Sequence, residues 1–593
     1  MENLELLAQS TWFAGLSAAV RERVAAQMEL QHLHSGELLY AQGDDPDYLY
    51  LVASGRLRVS VGDKVLGYVA RGEPVGEMAV IGGEARSSSV HALRDTELLR
   101  LPRAALLAWL EQDAPALMSL TRLMLGRLRQ YQHQYRPPST RGQGVLAILP
   151  AADPMPVQVL AEALVQRLGG WPQARLITAA HVDAALGAGA AQADFDHGSA
   201  CERLQHWLNG LEQRHRYLVL AAHSDRDHWA KRCLRQADRV LVMAESSAAP
   251  TRLPALDAIP DGRLLAPVEL VLLRPEGDAS AHTREWCRVT GARNHYFVHP
   301  WAEGELASLA RQITGRGIGL VLGGGGARGF AHIGLVRALH ELEIPVDITG
   351  GTSMGAFVSA LLACGFDPVE MTHVARETFV NNNFLNDYTL PQVSLIRGRR
   401  FFNRLIEVFG ERRIEELRCS YYCISTNLTS GATVVHDHGL LAAWVGTSMA
   451  VPGVAPPVAW EGDLLCDGGV VDNLPTDVMQ SLERGSIIAC SVSQAGDIRA
   501  PGRGQGDPEP DALLRWRGEA LRPSFSEILL RTATLTADTL FRKDAISRAD
   551  VDIHMPVQDV GMFAWKRLDE LVERGYDHAL RVLAPERERL LRL

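Results

Sequence analysis

The chain has 593 residues, with 60 Lys plus Arg against 70 Asp plus Glu and a formal net charge of -10. That length exceeds what one hydrophobic core supports, and the acidic balance excludes a diffuse nucleic-acid-binding surface. The eight cysteines (Cys201, Cys233, Cys287, Cys364, Cys419, Cys423, Cys466, Cys490) form no CxxC pair and no Cys/His cluster with zinc spacing, so neither a metal site nor a disulfide scaffold is expected, and they read as mostly buried thiols.

The opening residues, MENLELLAQSTWFAGL, begin acidic and lack a basic segment followed by a long apolar one, so no secretory leader is expected. No stretch approaches the ~18 uncharged apolar residues that span a bilayer. A cytoplasmic protein that meets lipid from the water side, peripherally, is the expectation. Helical periodicity runs from Ala18 to Met28 and again from Leu106 to Leu128. Between them lie short strands separated by Gly and Asp turns, such as Tyr48 to Ala53, Leu57 to Val61 and Val65 to Val69, which predict a small β-roll with flanking helices.

After Tyr135 the run RPPSTRGQG reads as a linker. Apolar runs then alternate with amphipathic helical stretches: Val145 to Leu149, Arg175 to Thr178, Tyr217 to Ala221, Val240 to Met243, Val268 to Leu273 and His295 to Val298. That alternation predicts a doubly wound parallel sheet. It resembles a P-loop-like α/β sheet, but its first strand–helix turn, Pro150-Ala151-Ala152-Asp153-Pro154-Met155, lacks the G-K-[ST] that would hold a nucleotide phosphate. A non-catalytic spacer that transmits a signal from the N-terminal module is expected. A third α/β segment starts near Gly317, interrupted at Ala500 to Pro510 by a Pro/Gly-rich surface insertion. The expected domains are 1–135, 140–312 and 316–593.

Three motifs in the last segment carry chemistry. The run Val346 to Thr349 reads as a strand leading into Gly350-Gly351-Thr352-Ser353-Met354-Gly355, followed by an apolar helix from Ala356 to Leu362. This is G-x-S-x-G in its strand–turn–helix setting: Gly351 and Gly355 give the room for a tight turn, and the helix start aims N–H groups at developing negative charge. A Ser that merely caps the helix is the bland alternative. Upstream, Gly323 to Gly329 (GGGGARG) sits between the strand Ile318 to Leu322 and a helix from Ala331 to Leu342. Its glycines let backbone N–H groups approach an oxyanion, and Arg328 can brace the loop or add positive charge. The same residues satisfy G-x-G-x-x-G with Asp347 as ribose-binding acid, a dinucleotide reading that leaves the serine elbow unexplained. The third motif is Leu464-Leu465-Cys466-Asp467-Gly468-Gly469-Val470-Val471-Asp472-Asn473-Leu474-Pro475. Its Asp467, at a strand end before two glycines, can take the proton of a serine and pass it to a leaving alcohol; an Asp-Gly turn is the alternative.

In this order, GGGGARG, GTSMG and DGG resemble the signature blocks of the patatin-like phospholipases. The resemblance implies Ser353 as nucleophile, Asp467 as base, an oxyanion site built by Gly324, Gly325, Gly326 and Arg328, no catalytic cofactor and no histidine in the machinery. His332, His373 and His436 are then decoys. From about residue 140 to the end the chain is similar to the neuropathy target esterase branch, in the phrase Arg232-Cys233-Leu234-Arg235-Gln236-Ala237-Asp238 before Val240-Leu241-Val242, and in GLVLGGGGARG and AHIGLVRAL. That implies a lysophospholipid or phospholipid substrate; a neutral-lipid esterase or thioesterase, and a catalytically silent nucleotide-responsive scaffold, stay open. Animal members of that branch carry a transmembrane helix and several cyclic-nucleotide modules; this chain shows no such helix and has room for one module. A stretch from Phe384 to Phe409, with Leu395, Ile396, Phe401, Phe402, Leu405 and Ile406 amid Arg397, Arg399, Arg400 and Arg404, reads as a lid or interfacial segment, or else as an amphipathic core helix.

Near the N-terminus, Gly76-Glu77-Met78-Ala79 and, nine residues after Glu77, Arg86-Ser87-Ser88-Ser89-Val90 resemble the phosphate-binding cassette of cyclic-nucleotide-binding domains, with Ala85 where a proline is frequent. The resemblance implies that Glu77 receives a ribose 2′-hydroxyl and that Arg86 pairs with the cyclic phosphate of cAMP or cGMP as regulator, a guanidinium fork helped by N–H groups of a short helix.

Overall fold

The computed structural model describes residues 2–10, 12–13, 17–110, 117–118, 142–194, 199–224, 226–257, 264–274, 282–299, 302–382, 386–390, 392–492, 532 and 548–591. They fall into two compact units, Met1–Ala310 and Arg311–Leu593. The insertion at Ala500 to Pro510, most of the linker after Tyr135 and nearly all of the helix expected beyond Leu110 lie outside the described residues.

The first unit opens with a β-roll of two four-stranded antiparallel sheets. The strands anticipated from the Gly and Asp turns are present as Tyr48–Ser54, Arg56–Val61 and Lys64–Ala70. The first helix is shorter than its periodicity suggested, Ala18–Ala25, because Met28 already leads into the strand Glu29–Leu33. Leu49, Leu51, Leu99 and Leu101 close the roll against Trp12, Phe13 and the helix Arg103–Leu110.

All six apolar runs of the middle segment are strands of one parallel sheet, placed on both sides of the first, Gly144–Pro150. This is the doubly wound arrangement that alternating strands and crossover helices produce. The phrase RCLRQAD lies at the end of the helix His228–Gln236 and ties roll to sheet. Asp238 lies 2.9 Å from Arg94 Nε, and Arg235 donates to Asp95 at 3.2 Å. Arg94 also donates to both oxygens of Glu212 at 2.7 Å.

The second unit is built on an eight-stranded mixed sheet in the order Val458–Trp460, Asp463–Asp467, Ser420–Asn427, Ile348–Gly351, Gly317–Leu322, Gly485–Ser491, Val551–His554, with Thr433–His436 pairing on Ser420–Asn427. Its central strands are parallel and buried at every position, as a sheet covered on both faces requires. The helices Ala331–Glu341 and Leu568–Leu583 pack so closely that a Cβ on Gly334 would meet the backbone oxygen of Val572 at 2.1 Å.

Two expectations are corrected here. The strand before the serine motif is Ile348–Gly351, not Val346 to Thr349. Asp347 precedes it, buried, with both carboxylate oxygens held by Arg311 (3.0 and 2.6 Å) and one also by the amide of Ile318 (2.9 Å). An acid at the amino end of the strand, consumed by an arginine, cannot receive a ribose at the carboxyl end, so the dinucleotide reading fails. Nor is the stretch from Phe384 to Phe409 a single amphipathic core helix. Among its described residues only Arg399–Phe409 are helical, starting where Gly398 takes φ 72 and the Asp387 side chain accepts from the amides of Gly398 and Arg400. Phe384 lies outside the described residues.

Candidate active site

The register of the sheet brings the serine motif and the aspartate motif together. Leu322 pairs with Gly351, and Gly351 with Cys423. Ser425, two residues on, is therefore level with the residue that follows Gly351 by two, which is Ser353. Asp467, on the antiparallel strand beyond, pairs with Ser425. A one-residue slip in either pairing would turn Asp467 to the other face.

Ser353 occupies a turn that side chains rarely adopt, φ 54 and ψ −122, at the start of the helix Met354–Ala363. Such a conformation costs about 1–3 kcal/mol and persists only where the surroundings over-determine it. Here they do. A Cβ on Gly351 would lie 2.4 Å from the carbonyl oxygen of Leu322, and one on Gly355 only 2.0 Å from the same atom. The amide of Thr352 donates to that oxygen (3.1 Å), Gly355 closes the turn on Thr352 O (2.8 Å), and the Thr352 hydroxyl donates to Asp472 O (3.3 Å). The amide of Ser353 donates to Ser448 Oγ at 3.0 Å.

Ser353 Oγ donates to Asp467 Oδ2 at 2.6 Å. Asp467 Oδ1 accepts the amide of Gly469 (2.8 Å), and the Asp467 amide donates to Ala450 O (2.9 Å), so the carboxylate is fixed from both sides. Asp467 is buried, and burial pushes its carboxyl up to about 6; the bonds from Ser353 and Gly469 oppose that rise. Asp472, five residues on, is also pushed up to about 6, first by burial and then by the charge of Asp477.

The glycine-rich loop packs directly against the serine. A Cβ on Gly324 would sit 3.0 Å from the Cβ of Ser353 and 2.7 Å from Asn473 Oδ1, so any side chain there invades the site. Asn473 clamps Gly324 twice, accepting its amide (3.1 Å) and donating to its carbonyl (3.2 Å). Gly324 N–H is thus already used. Among the described residues no acceptor meets the amides of Gly325, Gly326 or Met354. Arg328 takes the bracing role of its two: buried, it donates through Nε to Val560 O at 2.6 Å, next to the bond from Ala327 N to Met562 O (2.7 Å).

No histidine bonds to Ser353 or Asp467 among the described residues. His332 Nε2 donates to Gly323 O (2.9 Å) and buttresses the loop as a neutral ring, burial holding its ionisation down to about 4. His436 bonds Ser425 Oγ (2.7 Å), stacks on Trp444 and is pushed to about 4, chiefly by burial. His373 is exposed on the helix Pro368–Ala375. Asn473 and Ser448 were missed by sequence reasoning. Asn473 could have been flagged by its place six residues after Asp467, whereas nothing around Ser448 marks it.

In the roll, Gly76 (φ 85) starts the helix Glu77–Gly82, and a Cβ there would meet Arg86 Nη1 at 2.3 Å. Glu77 and Arg86 are both buried, while Ser87 is exposed. The Arg86 guanidinium donates to Gly76 O (2.9 Å) and Tyr48 O (2.6 Å) and lies 4.2 Å from the centre of the Tyr40 ring.

Residues 320–479 match the family model described as patatin-like phospholipase, residues 30–113 that of the cyclic nucleotide-binding domain, and residues 144–311 that of the neuropathy target esterase family P-loop like domain. Patatin-like phospholipase domain-containing protein 7 of Rattus norvegicus is 30% identical over 95% of this chain and 46% of its own length. Protein 6 of the same series from Homo sapiens is 30% identical over 97% of this chain and 46% of its own length. Lysophospholipase nte1 of Neosartorya fischeri is 29% identical over 93% of this chain and 41% of its own. The chain thus spans less than half the length of these relatives.

Proposed function

We propose that the chain, whose segments match the models of a cyclic nucleotide-binding domain, a neuropathy target esterase family P-loop like domain and a patatin-like phospholipase, is a serine acyl hydrolase of lysophospholipids and phospholipids. The observation that carries the reading is the 2.6 Å bond from Ser353 Oγ to a buried carboxylate, in a site where the amides of Gly325, Gly326 and Met354 meet no acceptor among the described residues.

The chemistry follows from those groups. Asp467 accepts the Ser353 proton as Oγ attacks the ester carbonyl, and the carbonyl oxygen becomes an oxyanion facing the N–H groups of Gly325, Gly326 and Met354. Collapse breaks the bond to the alcohol, which leaves with the proton from Asp467, and an acyl-enzyme remains on Ser353. Water then attacks, giving its proton to Asp467, and fatty acid departs as Ser353 regains a proton. Gly324, Arg328 and Asn473 hold the loop in place for this. Each step uses one carboxylate in both directions, so it suits a group whose ionisation lies close to the working pH.

The regulatory part of the proposal is that Arg86 exchanges the carbonyls of Gly76 and Tyr48 for the phosphate of a cyclic nucleotide, with Glu77 and Ser87 beside it, and that RCLRQAD carries the change into the middle sheet. No helix among the described residues is long and apolar enough to cross a membrane; access to lipid is proposed to be peripheral.

The deciding experiment measures hydrolysis of a short-chain p-nitrophenyl ester and of lysophosphatidylcholine by wild type and Ser353→Ala, with and without cAMP and cGMP. Fatty acid release by wild type but not by the variant is expected, and a neutral-lipid or thioester panel then fixes the substrate class. An inert wild type under all conditions sinks the hydrolase and leaves a binding scaffold.

A further inference from the structure

The surface of the second unit carries an apolar tip ringed by cations in an otherwise acidic chain. Tyr388, Leu390 and Val393 are 73, 82 and 67% exposed, far beyond what a scattered surface residue needs. They stand on a loop closed by a bridge between Tyr388 and Ile396 and followed at once by the helix Arg399–Phe409. That helix buries Phe401, Leu405 and Phe409, but leaves Phe402 and Ile406 on a second, half-exposed stripe.

Arg397, Arg399 and Arg400 are exposed at the junction, and among the described residues none of them pairs with a carboxylate side chain. The one acid of the loop, Asp387, is spent on the amides of Gly398 and Arg400. Arg400 meets only the neutral side chain of Asn386, at 3.0 Å. Two of these cations occupy the first turn of a helix, where the macrodipole favours anions, so the helix forgoes stability to place them there. An apolar tip beside clustered, unpaired arginines complements one surface above others, an anionic phospholipid bilayer.

The loop is also attached to the site. Leu395 and Ile396 donate to the carbonyls of Gly453 and Val454 (2.9 and 3.0 Å), three and four residues after Ala450, whose carbonyl holds the Asp467 amide. Three residues span at most about 11 Å. A Cβ on Gly446 would touch Leu405 and Phe402 (3.3 and 3.4 Å), and two residues further Ser448 accepts the Ser353 amide. The supports of the dyad are the supports of this surface.

We propose that Tyr388, Leu390, Val393, Phe402 and Ile406, flanked by Arg397, Arg399 and Arg400, dock the chain on anionic phospholipid bilayers and deliver lipid to Ser353. The proposal rests on the hydrolase reading for what is delivered, but docking itself is independent of catalysis. Hydrophobic side chains insert at the headgroup level while each arginine adds about fivefold in partitioning, so three add roughly a hundredfold.

The test is co-sedimentation of the full chain with vesicles of phosphatidylcholine, alone or mixed with phosphatidylglycerol, for wild type, Ser353→Ala, Leu390→Asp/Val393→Asp and Arg397→Gln/Arg399→Gln/Arg400→Gln. Wild type and Ser353→Ala are expected to bind the mixed vesicles equally. The triple variant loses roughly a hundredfold and the double variant about tenfold or more. Both keep wild-type rates on the soluble p-nitrophenyl ester and lose rate only on vesicle-embedded lysophosphatidylcholine. Equal binding of mixed vesicles by wild type and the double variant overturns the proposal. So does a double variant that binds vesicles normally but shifts the sedimentation coefficient, because the face would then seat a second copy. A wild type that binds mixed vesicles yet hydrolyses nothing refutes the hydrolase reading alone.

Discussion

The ionisation of Asp467 gives the sharpest prediction, because burial acts on rate and on stability with opposite sign. Its carboxyl moves from an ordinary 3.8 to about 6, chiefly by desolvation. As the proposed general base it must be charged, so kcat/KM on a soluble ester should rise with pH and reach half its plateau near 6. At pH 5 only about a tenth of the molecules are competent, a roughly tenfold deficit against pH 8, whereas a carboxylate of ordinary acidity would show almost none. For stability, the folded value lies above the unfolded one, so the folded state holds its proton longer. The resulting penalty is absent below 3.8, builds up between there and 6, and reaches ~3 kcal/mol above 6. Asp467→Asn should therefore be inactive yet melt higher than wild type at pH 8, with the gap closing by about pH 4. The full ~3 kcal/mol is not reached, since an amide nitrogen cannot accept the Ser353 proton. The assays are a pH–rate profile and thermal midpoints across the same range, with Asp472→Asn as control for the other carboxyl near 6. A rate flat from pH 5 to 8, or an Asp467→Asn protein less stable than wild type at pH 8, would refute the reasoning.

Four further outcomes follow from single contacts. Asn473→Ala frees both sides of Gly324 and should cost about ten- to a hundredfold in kcat with KM little changed, since a loosened oxyanion loop acts on the transition state; steady-state kinetics on the soluble ester decide it. Gly355→Ala drives a methyl into Leu322 O, an atom of a central strand that cannot rotate away, and should lower stability by about 3 kcal/mol or more, read as a fall in thermal midpoint. Asp347→Ala leaves Arg311 unpaired beneath the sheet and should cost about 3–5 kcal/mol in denaturant titration without touching the serine. Arg86→Gln should weaken cAMP or cGMP binding about ten- to a hundredfold by calorimetry while leaving basal ester hydrolysis unchanged.

Much of the fold was legible because buried parallel strands are near-continuous apolar runs. Tyr217 to Ala221 and Val268 to Leu273 were located to the residue. The boundary at Val346 was misplaced because Asp347 sits among apolar residues for a reason invisible locally, an arginine 36 positions upstream. The serine elbow was legible because its glycines are demanded by nearby backbone. Arg328 had two readings because the choice rests with Val560, 232 residues downstream. Asn473 and Ser448 act through contacts made across 149 and 95 positions, and a single polar side chain carries no periodicity to announce such a partner. The exposed loop at Tyr388 was read as one stretch with the helix at Arg399 because composition does not register Gly398 at positive φ.

On the proposed mechanism, those long-range contacts let one carboxylate replace the usual base and its orienting partner. A histidine needs a third group to fix its ring and tautomer. Asp467 is oriented instead by the strand that carries it: its amide is held by Ala450, one oxygen is held by Gly469, and the sheet register leaves the other aimed at Ser353. Orientation by backbone is rigid, but it buries the carboxylate away from water. The same enclosure raises its proton affinity toward neutrality. A serine–aspartate pair positioned in this way therefore acquires its basicity from the sheet that positions it, and a change that admits water beside Asp467 should lower the base strength even with every hydrogen bond intact.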